Sequence, residues 1–131
     1  MKIIFSLLFS IYLLSAQLVV VTNKNSELNT IPKEIIQYIY LAKIDKVEDI
    51  KVKPIISDDK NLHSKFCNTI LCKSESQYNS YWARLVFTGR KPIAKRLGWQ
   101  EVISKLKELN TIAYIDKKDL REEWKIIYEE N

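Results

Sequence analysis

Two neighbouring stretches decide the fold class of this chain: Leu18-Val-Val-Val-Thr22 and Thr30-Ile-Pro-Lys-Glu-Ile-Ile-Gln-Tyr-Ile-Tyr40. The first is a short apolar run of mostly β-branched residues, which is typical of a buried strand. In the second, Pro32 follows shortly after Thr30, and this spacing favours a helix start at Thr30. The apolar residues of that helix fall on one stripe: Ile31, Ile35, Ile36 and Ile39. A helix that follows a buried strand predicts an α/β fold.

Three further stretches predict the remaining strands of the sheet. Residues 50–56 are a second strand candidate, and Pro54 within them predicts that this end lies at a sheet edge or a strand terminus. Residues 111–115 have the apolar pattern of another strand. Residues 125–128 are short enough for a closing strand, although the residues just before them would also suit a helix. We therefore predict one α/β domain with a small mixed sheet flanked by helices.

Apolar periodicity predicts three more helices. Asp58-Asp59 can cap the second helix, which carries apolar residues at intervals of four: Leu62, Phe66 and Ile70. Ser74-Glu75-Ser76-Gln77 matches a capping box at the start of the third helix. The third helix has an apolar stripe that predicts docking on the core along its length: Tyr78, Tyr81, Trp82, Leu85 and Val86. The fourth helix has the same periodicity: Trp99, Val102, Ile103, Leu106 and Leu109.

The composition agrees with one folded domain. The chain has 131 residues, of which 47% are hydrophobic and 28% are charged, with two Gly and three Pro. These proportions exclude an intrinsically disordered chain, a collagen and a repeat protein. Lys and Arg number 21 against 16 Asp and Glu, and the resulting charge of +5 favours anionic partners. We expect no nucleic acid among these partners.

The first residues have the pattern of a secretory signal peptide. Met1-Lys2 is a charged start, residues 3–14 are an apolar run, and Ser15-Ala16 supplies small residues for cleavage before Gln17. We therefore predict a signal peptide over residues 1–16 and a single domain over residues 17–131. The alternative is an uncleaved inner-membrane anchor, since the run continues through Leu18-Val-Val-Val21 to roughly membrane-spanning length.

Export changes how Cys67 and Cys72 are interpreted. Thiols outside the cytoplasm tend to oxidise, and two cysteines permit one Cys67–Cys72 disulfide. Residues five apart in a regular helix point to different faces, so the bridge requires the second helix to end between them. The alternative is two unpaired buried thiols. A zinc site is not expected, because the chain has only one His.

The chain lacks the usual catalytic signatures. It has no GxSxG, Walker A or GxGxxG motif, so we expect no enzyme, no cofactor and no metal. His63 stands beside Ser64, but adjacent helical residues do not face each other, and we predict a solvent-facing His63. Asp58 and Asp59 are interpreted as a helix cap, with a cation site as the alternative.

Three places could cradle an anion. Residues 23–30, 57–61 and 88–96 follow predicted strands or a helix, where unpaired N–H groups and polar side chains collect. Hydroxyl, amide and guanidinium groups are the types that hold phosphate or sulfate. The candidate ligand-binding residues are Thr30, Ser57, Asn61, Arg84, Thr88 and Arg90. The alternative is a set of ordinary helix caps and a solvated basic loop.

The order of these segments resembles the short, single-domain relatives of phosphate-binding proteins of ABC transporters. The specific part is Tyr81-Trp82-Ala83-Arg84-Leu85-Val86-Phe87-Thr88-Gly89, supported by residues 18–22, 34–41 and 111–115. The resemblance implies one lobe of the class II periplasmic binding protein fold. It also implies a periplasmic location, binding of phosphate or a similar oxyanion, and an ABC transporter permease or envelope protein as partner.

One segment departs from the family. The relatives commonly carry a Gly-Ser pair at the start of the second helix, whereas this chain has Ser57-Asp-Asp-Lys-Asn61. Two carboxylates there would repel a dianion, so the expected oxyanion binding is weak. A single lobe also cannot close around a ligand by itself, and burial of the ligand would need a homodimer or another partner. The alternative function is a ligand-free periplasmic interaction module on the same scaffold.

Overall fold

The stretch that opens the predicted sheet forms strand β1, Leu18–Asn23, in the computed structural model, which describes residues 17–90 and 95–130. The other strands are β2 Lys46–Val47, β3 Ile50–Lys51, β4 Lys53–Ser57, β5 Arg96–Leu97, β6 Thr111–Asp116 and β7 Trp124–Glu129. The helices are α1 Lys33–Tyr40, α2 Lys60–Phe66, α3 Glu75–Phe87 and α4 Trp99–Lys105. A π-helical turn, Cys67–Leu71, continues α2, and a 3-10 turn, Lys117–Asp119, follows β6.

The main sheet is mixed, with strand order β5-β4-β6-β1-β7. Strand β4 pairs in parallel with both β5 and β6, whereas β1 pairs antiparallel with both β6 and β7. Strand β1 therefore runs opposite to the other four strands. Strands β2 and β3 form a separate two-stranded hairpin. The predicted small mixed sheet flanked by helices is confirmed.

Pro54 lies near the start of β4, as the sequence predicts for a residue without an N–H. Strand β5 pairs only with Ile56 and Ser57, at the other end of β4. The missing N–H of Pro54 therefore breaks no hydrogen bond between β4 and β5.

Alternation along the strands builds a core on each face of the sheet. On one face Tyr40 of α1 and Phe66 of α2 pack against Tyr114 of β6, and all three are buried. On the other face Val102 and Leu106 from the α4 region pack on β-branched and aromatic residues of the sheet. Burial of two faces by helices is what fixes the register of each strand.

Helix α3 departs from the predicted docking along its whole length. Its capping box is present, since Ser74 Oγ accepts from the Gln77 N–H and the Gln77 side chain accepts from the Ser74 N–H. Tyr78 is buried, but Val86 is 52% exposed and Phe87 is 94% exposed. The helix packs on the π-helical turn through its first half, and its last turn extends past the core.

The start of helix α1 differs from the sequence prediction. Helix α1 begins at Lys33, with Pro32 rather than Thr30 at the N-cap position and no side-chain cap. The predicted signal peptide over residues 1–16 lies outside the described residues. Within residues 17–90 and 95–130, no helix is both long enough and apolar enough to cross a membrane.

Candidate functional site

A cleft of about 800 Å³ opens where β4 and β6 end, and we call it the carboxyl-edge cleft. These two parallel strands finish at the same edge of the sheet, which is where open α/β sheets bind ligands. The cleft is lined by Ser57 at the end of β4, Asn61 in the first turn of α2 and Trp99 at the start of α4. The charged residues that line the cleft are Asp58, Asp59, Lys65, Asp116, Lys118 and Asp119.

Local hydrogen bonds shape the wall of the cleft between β4 and α2. Asp59 is the N-cap of α2, and its carboxylate accepts from the Leu62 N–H at 3.0 Å. The Asp59 N–H donates in turn to Ser57 Oγ at 3.1 Å. The Asp58 N–H donates to the Leu97 carbonyl at 2.9 Å, which joins this loop to β5. The predicted cap at Asp58-Asp59 is therefore confirmed, with Asp59 as the capping residue.

The buried His63 is linked to this wall through Tyr114. The Ser57 N–H donates to Tyr114 Oη at 2.9 Å, and Tyr114 Oη lies 2.6 Å from His63 Nδ1. In the neutral tautomer that carries its proton on Nε2, His63 Nδ1 accepts from the Tyr114 hydroxyl, and Nε2 lies 3.6 Å from Cys67 Sγ. His63 thus holds the end of β4 through one tyrosine.

The position of His63 corrects the sequence prediction of a solvent-facing residue, because it is 1% exposed. Burial lowers the pKa of His63, and the nearby Arg96 lowers it further, while Glu75 opposes both effects. The ring is therefore neutral near pH 7. The signal that was missed is the helical spacing of His63 with Phe66 and Cys67, which places all three on the buried stripe.

The carboxyl-edge cleft is acidic. Four aspartates and two lysines line it, which gives the lining side chains a net charge of −2. The Lys118 ammonium lies 3.9 Å from the Asp116 carboxylate, but the Lys118 side chain is 76% exposed, so the pair adds little stability. Such a lining repels a dianion and lowers its affinity.

The structure brings together only Ser57 and Asn61 of the six candidate ligand-binding residues. Thr30 does not line this cleft: the N–H of the next residue, Ile31, donates to the Ile127 carbonyl of β7 at 3.0 Å, and β6 and β1 separate β7 from β4 in the sheet. A single site that includes Thr30 and Ser57 is therefore not formed.

The remaining three candidates lie at the end of α3. Arg84 lines a separate shallow cleft together with Tyr81. Thr88 Oγ1 donates to the Leu85 carbonyl at 3.0 Å, which closes the end of the helix, and Arg90 is exposed. None of these three lines the carboxyl-edge cleft.

Cys67 and Cys72 are unbridged in the structure, and their disulfide after export stays a prediction. Both thiols are free, with Cys67 buried and Cys72 exposed. The π-helical turn ends at Leu71 and Cys72 follows in a left-handed conformation, so the helix does end between the two cysteines, as a bridge requires. Burial raises the pKa of the Cys67 thiol to about 11, so it is a protonated core residue.

Metal chemistry finds no support in residues 17–90 and 95–130. No group of three or more His, Cys, Asp or Glu side chains there is arranged to hold a metal ion. Two of the cleft aspartates are helix caps: Asp59 caps α2 and Asp116 caps the 3-10 turn.

The comparisons with known proteins concern the fold. The sequence matches no protein-family model and no curated protein. One similar solved structure, from Clostridium perfringens, is assigned as a phosphate ABC transporter substrate-binding protein and holds bound phosphate. Its TM-score is 0.66 at 13% identity, over 86% of this chain and 44% of that one. Another is an ABC-type phosphate transport receptor from Vibrio cholerae, with a TM-score of 0.63 at 13% identity, over 86% of this chain and 45% of that one.

The chain spans less than half the length of these two proteins. The match therefore extends over most of this chain but only part of each neighbour. Both neighbours are transport binding proteins by description, and neither is described as an enzyme. The expected fold class is confirmed: the chain has the fold of one lobe of the phosphate ABC transporter substrate-binding proteins.

Proposed function

We propose that this chain is an exported binding domain that takes up phosphate or a similar oxyanion weakly at the carboxyl-edge cleft, in connection with an ABC transporter. The observation that carries the proposal is the position of Ser57 and Asn61. Both line one cleft at the start of α2 and at the carboxyl ends of parallel strands. Hydroxyl, amide and backbone N–H groups at such an edge suit an oxyanion.

The charge of the cleft sets the strength of this binding. Asp58 and Asp59 directly follow Ser57, and Asp116 at the end of β6 and Asp119 in the 3-10 turn line the same cleft. Lys65 and Lys118 offset only half of this charge. We therefore expect dissociation constants in the millimolar range, about 4 kcal/mol of binding free energy.

Export and partnership complete the proposal. Residues 1–16 have the pattern of a signal peptide, and residues 17–131 would be the exported domain in the periplasm. One lobe leaves the cleft open on one side, so a second copy of the chain or a transporter subunit would cover a bound ligand. The proposed activity is binding without catalysis.

Calorimetry tests the oxyanion proposal. Phosphate and sulfate should each give saturable heats with the wild-type protein, and a non-anionic control of similar size should give none. Asp58→Gly/Asp59→Ser removes two repelling charges, and Ser is a good N-cap, so α2 keeps its start. We expect this double variant to bind phosphate more tightly by at least tenfold. Equal or weaker binding by the variant would refute an oxyanion site at Ser57 and Asn61.

A ligand-free interaction module is the second candidate, and the last turn of α3 favours it. Phe87 is 94% exposed and Val86 is 52% exposed, with Arg84 and Arg90 also exposed beside them. An aromatic tip flanked by cations suits an anionic membrane surface, because lipid needs no shape complementarity. Sedimentation with anionic vesicles tests this candidate. Binding that is lost in Phe87→Ser and absent with neutral vesicles would support it, and unchanged sedimentation of Phe87→Ser would exclude it.

A further inference from the structure

A second cleft, of about 620 Å³, opens at the opposite edge of the sheet, where β4 and β6 begin. We call it the amino-edge cleft. Lys53 and Thr111, the first residues of β4 and β6, are register partners and both line it. It shares no lining residue with the carboxyl-edge cleft.

The walls of the amino-edge cleft are mainly apolar. They consist of side chains from the end of α1, the β2–β3 region and strands β4 and β5: Ile39, Ile44, Val52, Pro54, Ile55 and Leu97. A concave apolar surface of this volume, with a few polar groups, is the usual form of a small-molecule site.

Thr111 supplies a polar group without a partner. Its side chain is 1% exposed, and its Oγ1 makes no hydrogen bond. The neighbouring Thr22 hydroxyl donates to the Thr111 carbonyl at 2.8 Å and leaves the Thr111 hydroxyl unused. A buried hydroxyl without a partner is unfavourable in a folded protein. An acceptor atom of a ligand in the cleft would satisfy it.

The charges at the rim favour an anion. Lys53, Lys95 and Lys105 line the cleft against Asp45 and Glu108, which leaves 3 − 2 = 1 positive charge. The Glu108 carboxylate lies 3.7 Å from the Lys53 ammonium and 3.9 Å from the Lys105 ammonium. A carboxylate therefore already occupies the space between two of these lysines, and a ligand carboxylate would compete with it.

We propose that the amino-edge cleft binds a small amphipathic carboxylate. Its apolar chain would lie on the isoleucine-rich wall, and its carboxylate would accept from the Thr111 hydroxyl and pair with Lys53 and Lys105. This site is separate from the proposed oxyanion site, so either can exist without the other.

Calorimetric titration with octanoate tests the proposal, with 1-octanol as the neutral counterpart. Wild-type protein should bind one octanoate saturably and 1-octanol at least tenfold more weakly. Thr111→Val keeps the shape of the side chain and removes the hydroxyl. Losing a hydrogen bond to a charged group should weaken octanoate binding about tenfold or more. Glu108→Gln removes the competing carboxylate and should strengthen binding by up to about fivefold.

Two controls make the result decisive. Thr88→Val removes an exposed hydroxyl at the end of α3 and should leave octanoate binding unchanged. Thr111→Val should melt at the wild-type temperature or above it, because the hydroxyl it removes has no partner; a lower melting temperature would contradict the premise. Absence of saturation at millimolar octanoate, equal affinity for 1-octanol, or unchanged binding in Thr111→Val would each overturn the proposal.

Discussion

His63 is the residue on which the wall of the carboxyl-edge cleft depends most directly. Its Nδ1 lies 2.6 Å from Tyr114 Oη, and that hydroxyl accepts a hydrogen bond from the Ser57 N–H. Loss of the ring would leave the Tyr114 hydroxyl buried with only its acceptor role filled. The protonation state of one buried side chain therefore affects the backbone at the end of β4.

The folded protein should lose stability on mild acidification because of His63. Burial and Arg96 lower its pKa in the folded state below the ordinary value of 6.5 that applies to the unfolded chain. As the pH falls through about 6.5, the unfolded chain takes up this proton first. The contribution of His63 to stability is therefore complete above that pH and is lost as the pH falls toward the lower folded pKa.

Urea denaturation between about pH 7.5 and pH 5 measures this effect. The free energy of unfolding of wild-type protein should fall across the interval. His63→Gln should be less stable at pH 7.5 by about 1–3 kcal/mol, since it disturbs a buried hydrogen bond, and should show a flatter pH profile. Parallel profiles for the two proteins would contradict the buried neutral histidine.

The two cysteines should differ in reactivity. Cys72 is exposed and Cys67 is buried with a raised pKa, so a thiol reagent should modify Cys72 in native, unreduced protein and reach Cys67 only on unfolding. Mass spectrometry after alkylation counts the modified thiols. Protein in which neither thiol reacts until a reductant is added would show that the disulfide forms after all.

At the scale of elements, helix α3 divides into a docked half and a projecting end. Tyr78 is 1% exposed and its hydroxyl donates to the Tyr40 carbonyl at 2.6 Å, whereas Phe87 near the other end is 94% exposed. Tyr78→Ala should lower the free energy of unfolding by about 3–5 kcal/mol. Phe87→Ala should change it by less than about 0.5 kcal/mol.

Denaturation of both variants under one condition tests this division. The comparison is matched, because each change truncates one aromatic side chain of the same helix. Similar losses in the two variants would mean that the last turn of α3 is covered by other parts of the protein.

Local patterns were enough to predict most elements, because capping and apolar spacing act within a few residues. The capping box at Ser74 and the cap at Asp59 are examples. The direction of β1 could not be predicted, because it depends on pairing with β6 and β7, about a hundred residues away. Thr30 therefore lies near β7, and β6 and β1 separate it from Ser57 at the end of β4.

At the scale of the whole molecule, the fold favours phosphate binding, whereas the charge of the carboxyl-edge cleft opposes it. The chain shares its fold with part of two phosphate transport proteins, but its carboxyl-edge cleft carries a net negative charge. The sequence showed two of the four aspartates on one loop, whereas Asp116 and Asp119 join them only through the pairing of β6 with β4. Weak binding, or covering of the cleft by a partner, follows from this charge.

The most direct measurement is a phosphate titration of ¹⁵N-labelled protein followed by NMR. The backbone amide signals of residues 57–61 should shift and saturate together at millimolar phosphate, while those of Thr30, Arg84 and Thr88 stay in place. Sulfate should reproduce the pattern, and sodium chloride at matched ionic strength should not. Shifts that never saturate would contradict an oxyanion site in the carboxyl-edge cleft. So would shifts at surface lysines in place of shifts at residues 57–61.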